Sequence, residues 1–531
     1  MHATSNGKRA GIDRRSFLKG GAALGGMAAL TGLAGCSGAQ SAASGSESWM
    51  PERWDAEADI VAVGAGGAGL AAGIEARDLG LDIIVLESQS KVGGNSAICN
   101  GGICIPGSPL QKEQGIEDSP ELMAKDLLEY TKEDNYPEYI ELLAEQQGLL
   151  WDWLTDLGVE FRAESLIGTT GQSVPREHHV APGGAINTLA EAAEERGADI
   201  RLNTPATHFI QNPVTKEVVG VQAQDKSGNP LYFKARKGVL LCSGGYARNV
   251  DMLNKWVFGA GAEVYMDGCM DDIGQDGSGI LMAMEIGADT RHIDYFNMLT
   301  ARNPKGGISD ACSIFHVGAV LVNKEGERFV NEAQGYINVW NEVNAQTDQS
   351  CFQIWDQTIF DAYADNDSAY YSMAKLTDSG LLLQANTFEE LAGLMGVPAD
   401  ALAATMARYN DDVASTGRDS LFGREHLVSM NAEPVPIVTP PFYAWETTNS
   451  ICCTKGGIRQ DATQGCQAVS VMGDLIPRLY LAGNVSGYCN CGIILGTHNA
   501  NNSSGIGFGG ALAFGRYCVQ QMAGNANWDE A

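Results

Sequence analysis

Basic residues are scarce in this chain. Its 531 residues include 35 Lys and Arg against 65 Asp and Glu, which gives a formal net charge of −30 at pH 7. A strongly negative surface repels phosphate backbones, so the composition argues against nucleic-acid binding. With 44% hydrophobic and 19% charged residues, the chain is typical of a globular protein of two or three domains.

No apolar run near the start of the chain is long enough to cross a bilayer. Arg14 and Arg15 open the sequence RRSFLK, and a glycine-rich apolar stretch of about 15 residues follows. We interpret residues 1–36 as a twin-arginine signal peptide. The stretch ends in LAGC, which resembles a lipoprotein cleavage site, so Cys36 would carry lipid on the outer face of the cell membrane. The alternative is cleavage nearby with a soluble product. Residues 37–55 then form a linker.

A glycine-rich segment carries the strongest physical signal. In ADIVAVGAGGAGLAAGIEARDLGLDIIVLE, a strand at Ile60–Val63 precedes the glycines, and a helix and a strand at Ile83–Leu86 follow them. Such glycines let the backbone approach a pyrophosphate at a helix N-terminus, and a final acid accepts hydrogen bonds from a ribose. The segment therefore predicts a dinucleotide site that includes Gly64, Gly66, Ala68, Gly69 and Glu87.

Further motifs extend this prediction along the chain. KVGGNSAICNGGI, VLLCSGGY, VLVNKEGERFVNE and LYLAGNVSG follow in that order. Together they resemble the FAD-dependent fumarate reductase and succinate dehydrogenase flavoprotein superfamily, near its exported fumarate reductase-like, urocanate reductase-like and 3-ketosteroid dehydrogenase-like branch. The resemblance implies an α/β fold: a doubly wound Rossmann-like FAD-binding domain (56–290 and 436–531) interrupted by a smaller α+β capping domain (291–435).

The resemblance also implies flavin contacts, residue by residue. Asn95 occupies the position where some relatives bind flavin covalently through histidine, so the FAD should be non-covalent. The start of the last helix would point N–H groups at the flavin. The implied contacts, besides those of the glycine-rich segment, are Asn95, Ser96, Gly101, Gly102, Ala206, Asp276, Asn484, Ile506 and Gly507.

Two electron-entry motifs are missing. The sequence GIGFGG from Gly505 follows no strand, so it is not a second dinucleotide fingerprint, and no CxxCH haem motif occurs. We therefore expect an external electron donor, such as a membrane-bound cytochrome.

The substrate motifs of fumarate reductases are altered. Where the resemblance implies His-His-Thr-x-Gly-Gly, the chain has CCTKGG from Cys452. Tyr336 and Asn502 stand where two arginines would bind the dicarboxylate or donate a proton. Because a buried dianion without these cations would be poorly compensated, we expect fumarate to be a poor substrate.

The remaining residues favour reduction of another alkene. Tyr336 is a candidate proton donor, Lys455 a candidate to polarise a carbonyl, and Tyr488 a third catalytic candidate; each is alternatively structural. We predict an exported ene-reductase for an enone or enoate in anaerobic respiration. The alternatives are a 3-ketosteroid-type dehydrogenase and a non-catalytic flavoprotein electron carrier. For Cys452 and Cys453, apolar packing is the first interpretation, with a disulfide or redox pair and an iron–sulfur cluster as alternatives.

Overall fold

The computed structural model describes residues 49–99, 101–131, 136–162, 166–168, 171–180, 184–258, 274–306, 312–366, 370–428, 432–487 and 505–530. The predicted signal peptide, with Cys36, and most of the predicted linker lie outside these residues. Residues Ser48–Ala531 cluster into one compact unit. In the described parts of the chain, no helix combines the length and hydropathy needed to cross a bilayer.

The strands and helices alternate along most of the chain. The strands are β1 (Ala56–Val63), β2 (Ile83–Leu86), β3 (Gly102–Cys104), β4 (Glu177–His179), β5 (Asp199–Arg201), β6 (Ala206–Gln211), β7 (Val218–Gln224), β8 (Pro230–Leu241), β9 (Thr290–Arg291), β10 (Phe296–Arg302), β11 (Val320–Val322), β12 (Ser350–Asp356), β13 (Leu383–Ala385), β14 (Phe442–Thr454), β15 (Gly457–Ile458), β16 (Gln460–Asp461), β17 (Gln467–Val469) and β18 (Leu475–Leu481). The helices are α1 (Gly67–Asp78), α2 (Pro109–Glu113), α3 (Pro120–Thr131), α4 (Pro137–Gly148), α5 (Leu150–Asp156), α6 (Gly184–Glu195), α7 (Val250–Leu253), α8 (Ser278–Glu285), α9 (Tyr336–Asn344), α10 (Gln357–Ala362), α11 (Met373–Asp378), α12 (Phe388–Met395), α13 (Ala399–Thr416) and α14 (Ile506–Ala523).

The first sheet is built around β1. Its order is β16–β17–β18–β8–β1–β2–β5, and β18, β8, β1, β2 and β5 run parallel. Successive side chains of β1 enter two apolar cores, with Val61 in one and Ile60 in the other, because both faces of a parallel sheet are covered. α1 packs against α6 and α14. The predicted Rossmann-like fold is confirmed, with β1 beginning at Ala56 rather than Ile60.

The second sheet is antiparallel and has its own core. Its order is β10–β14–β12–β11, and β13 also pairs with β14. The buried side chains of Trp355 and Trp445 lie in this core. The predicted domain boundaries at 290 and 435 stay predictions, although β14, which begins at Phe442, pairs within this sheet and favours a later return to the first.

The amphipathic pattern from Phe388 to Asn410 lies on two helices, α12 and α13. α12 ends at Met395 and is followed by Gly396, whose φ of +72° is left-handed, and Pro398 precedes α13. Glycine adopts this conformation without a Cβ penalty, and proline suits a helix start, so the two residues separate the helices despite the continuous apolar period.

Candidate active site

The loop between β1 and α1 holds the glycine-rich motif in a tight turn. Gly64 has a φ of +112°, and a Cβ there would lie 2.6 Å from the carbonyl oxygen of Cys242. A Cβ on Gly69 would lie 1.9 Å from the carbonyl oxygen of Gly64. α1 follows Gly66, which has no side-chain cap. The first N–H groups and the dipole of α1 therefore favour an anion such as a pyrophosphate at this turn.

Glu87 follows β2 and faces the same turn. Its Oε2 accepts a hydrogen bond from the Ala65 N–H at 2.8 Å. Its Oε1 accepts from the Gln89 N–H at 2.8 Å. These bonds fix the carboxylate, and its remaining lone pairs can accept hydrogen bonds from ribose hydroxyls.

The segment after β2 brings further polar groups to this place. Ser96 Oγ accepts a hydrogen bond from the Gly67 N–H at 3.2 Å, and Asn95 Oδ1 accepts one from Gln275 Nε2 at 2.7 Å. Gln275 is only 6% exposed, and its Oε1 has no hydrogen-bond partner among the described residues. Because buried polar atoms are normally hydrogen-bonded, this oxygen indicates a ligand that donates to it. These groups fit FAD.

A cavity of about 370 Å³ joins these groups to the second sheet. It is lined by most of the predicted cofactor residues, which come from distant parts of the chain. Those that line it, together with the predicted catalytic lysine, are Gly64, Gly66, Ala68, Glu87, Asn95, Ser96, Gly102, Ala206, Asp276, Lys455, Asn484 and Gly507.

Other predicted residues lie behind or outside the described wall. Gly69 packs α1 onto the turn, as above. Gly101, with a φ of +77°, would place a Cβ 2.6 Å from the Val180 carbonyl oxygen, so it serves a close backbone contact. Ile506 is buried in the apolar core below the cavity. Tyr336 begins α9, but its side chain and the whole of Tyr488 lie outside the described part of the chain.

Several wall residues were not predicted as site residues. Cys242 directly follows β8, within the quoted VLLCSGGY motif, which was a usable signal. Asn297 and Tyr370 come from the second sheet and a neighbouring loop, and no local pattern indicated them. Glu177 is buried in β4, with an oxygen 3.1 Å from His179 Nε2. Only the pairing of β3 with β4 carries this carboxylate to the cavity.

The two histidines in β4 differ in exposure and partners. His178 is fully buried, its Nε2 lies 2.7 Å from Ser108 Oγ, and its Nδ1 lies 2.8 Å from the Arg176 carbonyl oxygen. Burial lowers the pKa of His178 to about 4, so it is neutral at pH 7. Its contacts are those of a structural residue.

Cysteines on the cavity wall have opposite pKa shifts. Burial raises the pKa of Cys99 to about 11, and burial raises the pKa of Cys242 further. The pKa of Cys453 is lowered to about 6, first by a hydrogen bond from Cys452, then by the charge of Lys455 and by hydrogen bonds from Lys455 and Asn484, against the effect of burial. The Cys453 thiol therefore ionises more readily than the thiols of Cys99 and Cys242.

The described residues contain no group of three or more His, Cys, Asp or Glu side chains placed to hold a metal ion. Cys489 and Cys491, which the sequence places in the last loop, lie outside them.

Comparisons with known proteins agree with this geometry. A family model described as FAD binding domain matches residues 59–507, and one described as TAT (twin-arginine translocation) pathway signal sequence matches residues 11–31. The chain is 29% identical to the fumarate reductase (cytochrome) of Shewanella frigidimarina over 472 residues, which cover 88% of this chain and 77% of that protein. It is 30% identical to the digoxin reductase of Eggerthella lenta over 547 residues, which cover 92% of this chain and 94% of that protein.

A solved structure of a steroid enzyme is also similar. The 3-ketosteroid-Δ4-(5α)-dehydrogenase from Rhodococcus jostii RHA1, in complex with 4-androstene-3,17-dione, matches with a TM-score of 0.66 and 26% identity over 89% of this chain and 98% of that one. The predicted cofactor, FAD, and the predicted twin-arginine signal are confirmed by the two family matches.

Proposed function

Because this chain belongs to the FAD-dependent fumarate reductase and succinate dehydrogenase flavoprotein superfamily, we propose that it is an exported ene-reductase. It reduces the C=C bond of an α,β-unsaturated organic acceptor other than fumarate in anaerobic respiration. One observation carries the choice of acceptor: among the lining residues that the structure describes, Lys455 is the single cation, and Glu87, Glu177 and Asp276 are carboxylates.

This charge pattern disfavours a dicarboxylate. Lys455 is 5% exposed, and its side chain is hydrogen-bonded to the neighbouring Cys453. A bound fumarate would place two negative charges beside one described cation, in a wall where Glu177, which is not among the predicted FAD contacts, already adds a carboxylate. Leaving such charges unpaired costs several kcal/mol, whereas a neutral enone or a monoanionic enoate avoids most of this penalty.

The residues of this chain have distinct roles in the proposed reaction. When bound and reduced by the external donor, FAD would supply the hydride. Lys455 Nζ polarises the acceptor carbonyl, and the Tyr336 hydroxyl donates a proton to the α-carbon, with Tyr488 as the alternative donor. Gly507, at the start of α14, lines the cavity, so the helix N-terminus favours negative charge there.

A reoxidation screen tests this function. Enzyme reduced with a viologen or dithionite is mixed anaerobically with enones, enoates or fumarate, and flavin absorbance is followed. We expect rapid reoxidation by at least one enone or enoate and slow reoxidation by fumarate. Fumarate turnover comparable with the best other acceptor would contradict the acceptor class. No reoxidation by any unsaturated acceptor would contradict reductase activity and favour an electron carrier.

The likeness to the Rhodococcus enzyme favours one rival function. A 3-ketosteroid-type dehydrogenase would run toward desaturation, so oxidised enzyme would reduce a dye acceptor when given a saturated 3-ketosteroid. We expect no such dye reduction at a rate near that of ene-reduction.

The proposal also covers FAD binding, the electron donor and the membrane anchor. FAD binds non-covalently, since Asn95 offers an amide, and denaturation should release it. An external donor such as a membrane-bound cytochrome supplies electrons. Cys36 carries the lipid that holds the mature protein at the outer face of the membrane.

A further inference from the structure

A bulge in β14 brings two thiols to the cavity. Asn297 in β10 is paired with Cys453, and the next residue, Met298, is paired with Ile451, so Cys452 is the extra residue of the bulge. In a regular strand, adjacent side chains point to opposite faces, but a bulge re-aims them. Both Cys452 and Cys453 line the cavity in consequence.

The turn that follows β14 is firmly held. Thr454 Oγ1 accepts a hydrogen bond from the Tyr246 N–H at 3.0 Å, and the Lys455 N–H donates to the Tyr295 carbonyl oxygen at 2.8 Å. A Cβ on Gly456 would lie 1.5 Å from the His292 carbonyl oxygen, so the backbones of these residues touch. These contacts hold the backbone of Lys455 in place next to Cys453.

Three side chains of the cavity wall hydrogen-bond to Cys453. Cys452 and Lys455 belong to the same segment, and Asn484 comes from the turn after β18. A second feature indicates that a ligand enters here: the buried Oδ1 of Asn297, the wall residue paired with Cys453, has no partner among the described residues. The other titratable groups on the described wall are Cys99, Cys242, Glu87, Glu177, Asp276 and Tyr370.

We propose that Cys453 and Lys455 form a thiolate–ammonium site that adds covalently to α,β-unsaturated carbonyl compounds in the cavity. The sulfur forms a bond to the β-carbon, the π electrons of the C=C bond move to the α-carbon, and Lys455 gives that carbon a proton, which it regains from water. The reverse elimination releases the compound. No oxidant or reductant is needed.

The site has a consequence for acceptor choice. The inference rests on the proposed function only for the class of compound. The enones and enoates proposed as acceptors are also electrophiles that a thiolate attacks. An acceptor whose β-carbon is open to Cys453 is held as an adduct and inhibits its own reduction. The saturated product has no C=C bond and leaves freely.

Oxidised holoenzyme gives the test, since no turnover occurs without a reductant. The enzyme is incubated with 2-cyclohexen-1-one, or with cyclohexanone as the matched control without a C=C bond, and peptides are analysed by mass spectrometry. We expect one adduct, on Cys453, with the enone only. Because burial raises the pKa of Cys99 and Cys242 above the ordinary range, both thiols stay protonated at pH 7 and serve as internal controls. An adduct distributed equally over these residues, an adduct on Cys452, or no adduct would overturn the proposal.

Variants of Lys455 distinguish a lowered pKa of the Cys453 thiol from simple accessibility of its sulfur. In the wild type, labelling by the enone and by iodoacetamide should be half-maximal at a pH below the ordinary thiol pKa of about 8.5, because Cys452, Lys455 and Asn484 lower the pKa of Cys453. Lys455→Met should move this midpoint upward and slow labelling at pH 7 by about 10-fold or more, and Lys455→Arg should restore much of the rate. Bound FAD, measured by absorbance, verifies that each variant is folded. An unchanged midpoint in Lys455→Met would overturn the ion pair. If the reoxidation screen finds no acceptor but adducts form, the proposed function fails and this site stands.

Discussion

At the scale of single residues, neighbours decide what a cysteine does in this cavity. Cys99 donates its S–H to the Ser96 carbonyl oxygen at 3.2 Å and stays neutral. Cys453 instead receives hydrogen bonds from cationic and amide groups. The sequence placed the cysteine pair near the substrate and favoured apolar packing. It could not show the lowered pKa of Cys453, because Asn484 and the bulge that turns both cysteines to the cavity depend on the tertiary fold.

Tyr336 is the residue on which the proposed proton transfer depends. Tyr336→Phe should keep FAD and acceptor binding and lose roughly 100-fold or more in kcat, the scale expected for a missing general acid. Stopped-flow reoxidation of the reduced variant measures this. Tyr409→Phe is the matched control, since that hydroxyl donates to the Val435 carbonyl oxygen at 3.2 Å within the second sheet's core. Unchanged turnover in Tyr336→Phe would transfer the role to Lys455 or Tyr488.

At the scale of elements, local signals were predictable and pairings were not. β2 has its predicted bounds, because strand, glycines, helix and strand follow one another without a break. The bulge at Cys452 depends on the register between β10 and β14. These two strands are paired, but β11, β12 and β13 separate them along the chain. The break between α12 and α13 has a local signal in Gly396 and Pro398. The glycines of the first turn form a local motif and were found. Glu177, Asn297 and Tyr370 reach the cavity only through the tertiary fold and were not.

Two glycines of α1 make a matched pair for testing the first turn. Gly69→Ala should lose FAD and stability, because its Cβ would lie 1.9 Å from the Gly64 carbonyl oxygen. Gly73→Ala should retain FAD and gain up to about 1 kcal/mol of unfolding free energy, since its Cβ would meet Ala198 Cβ at an ordinary 3.4 Å. Flavin content and urea unfolding measure both effects. Equal FAD content in the two variants would contradict the close-packing argument.

At the scale of the whole molecule, buried neutral histidines set an acid limit. Burial lowers the pKa of His178 to about 4 and that of His316 to about 3. In the unfolded chain both would titrate near their ordinary pKa of about 6.5. Because the folded protein binds these protons less readily, the stabilisation is present above pH 6.5 and is lost as the pH falls toward the folded pKa values.

Thermal unfolding against pH measures this loss. The wild type should lose unfolding free energy between pH 6.5 and 4, and His178→Gln should show a smaller slope over that interval. His208→Gln, which alters an exposed histidine 2.9 Å from Glu285, should keep the wild-type slope. Identical slopes in wild type and His178→Gln would show that His178 does not contribute.

The twin-arginine signal predicts the route by which the protein is exported. Arg14→Lys with Arg15→Lys should leave unprocessed protein in the cytoplasm, because the arginine pair is read as an address. Cell fractionation measures this, and normal export would contradict the assignment. Cys36→Ala should abolish lipid labelling while leaving FAD binding intact; labelling that persists would place the anchor elsewhere.

The path of β14 bears on how modules of this fold could be exchanged between relatives. β14 is the central strand of the second sheet, and the chain then enters β15, which pairs with β9 through Gly457 and Arg291. The two points where the chain passes between the sheets therefore lie side by side. We expect a chimera that transplants residues 292–456 to keep both sheets whole, whereas a joint at residue 435 would remove the longest strand from the graft. A transplanted segment would also bring its own equivalents of Cys453 and Lys455, so acceptor preference should follow the graft and not the FAD-binding remainder.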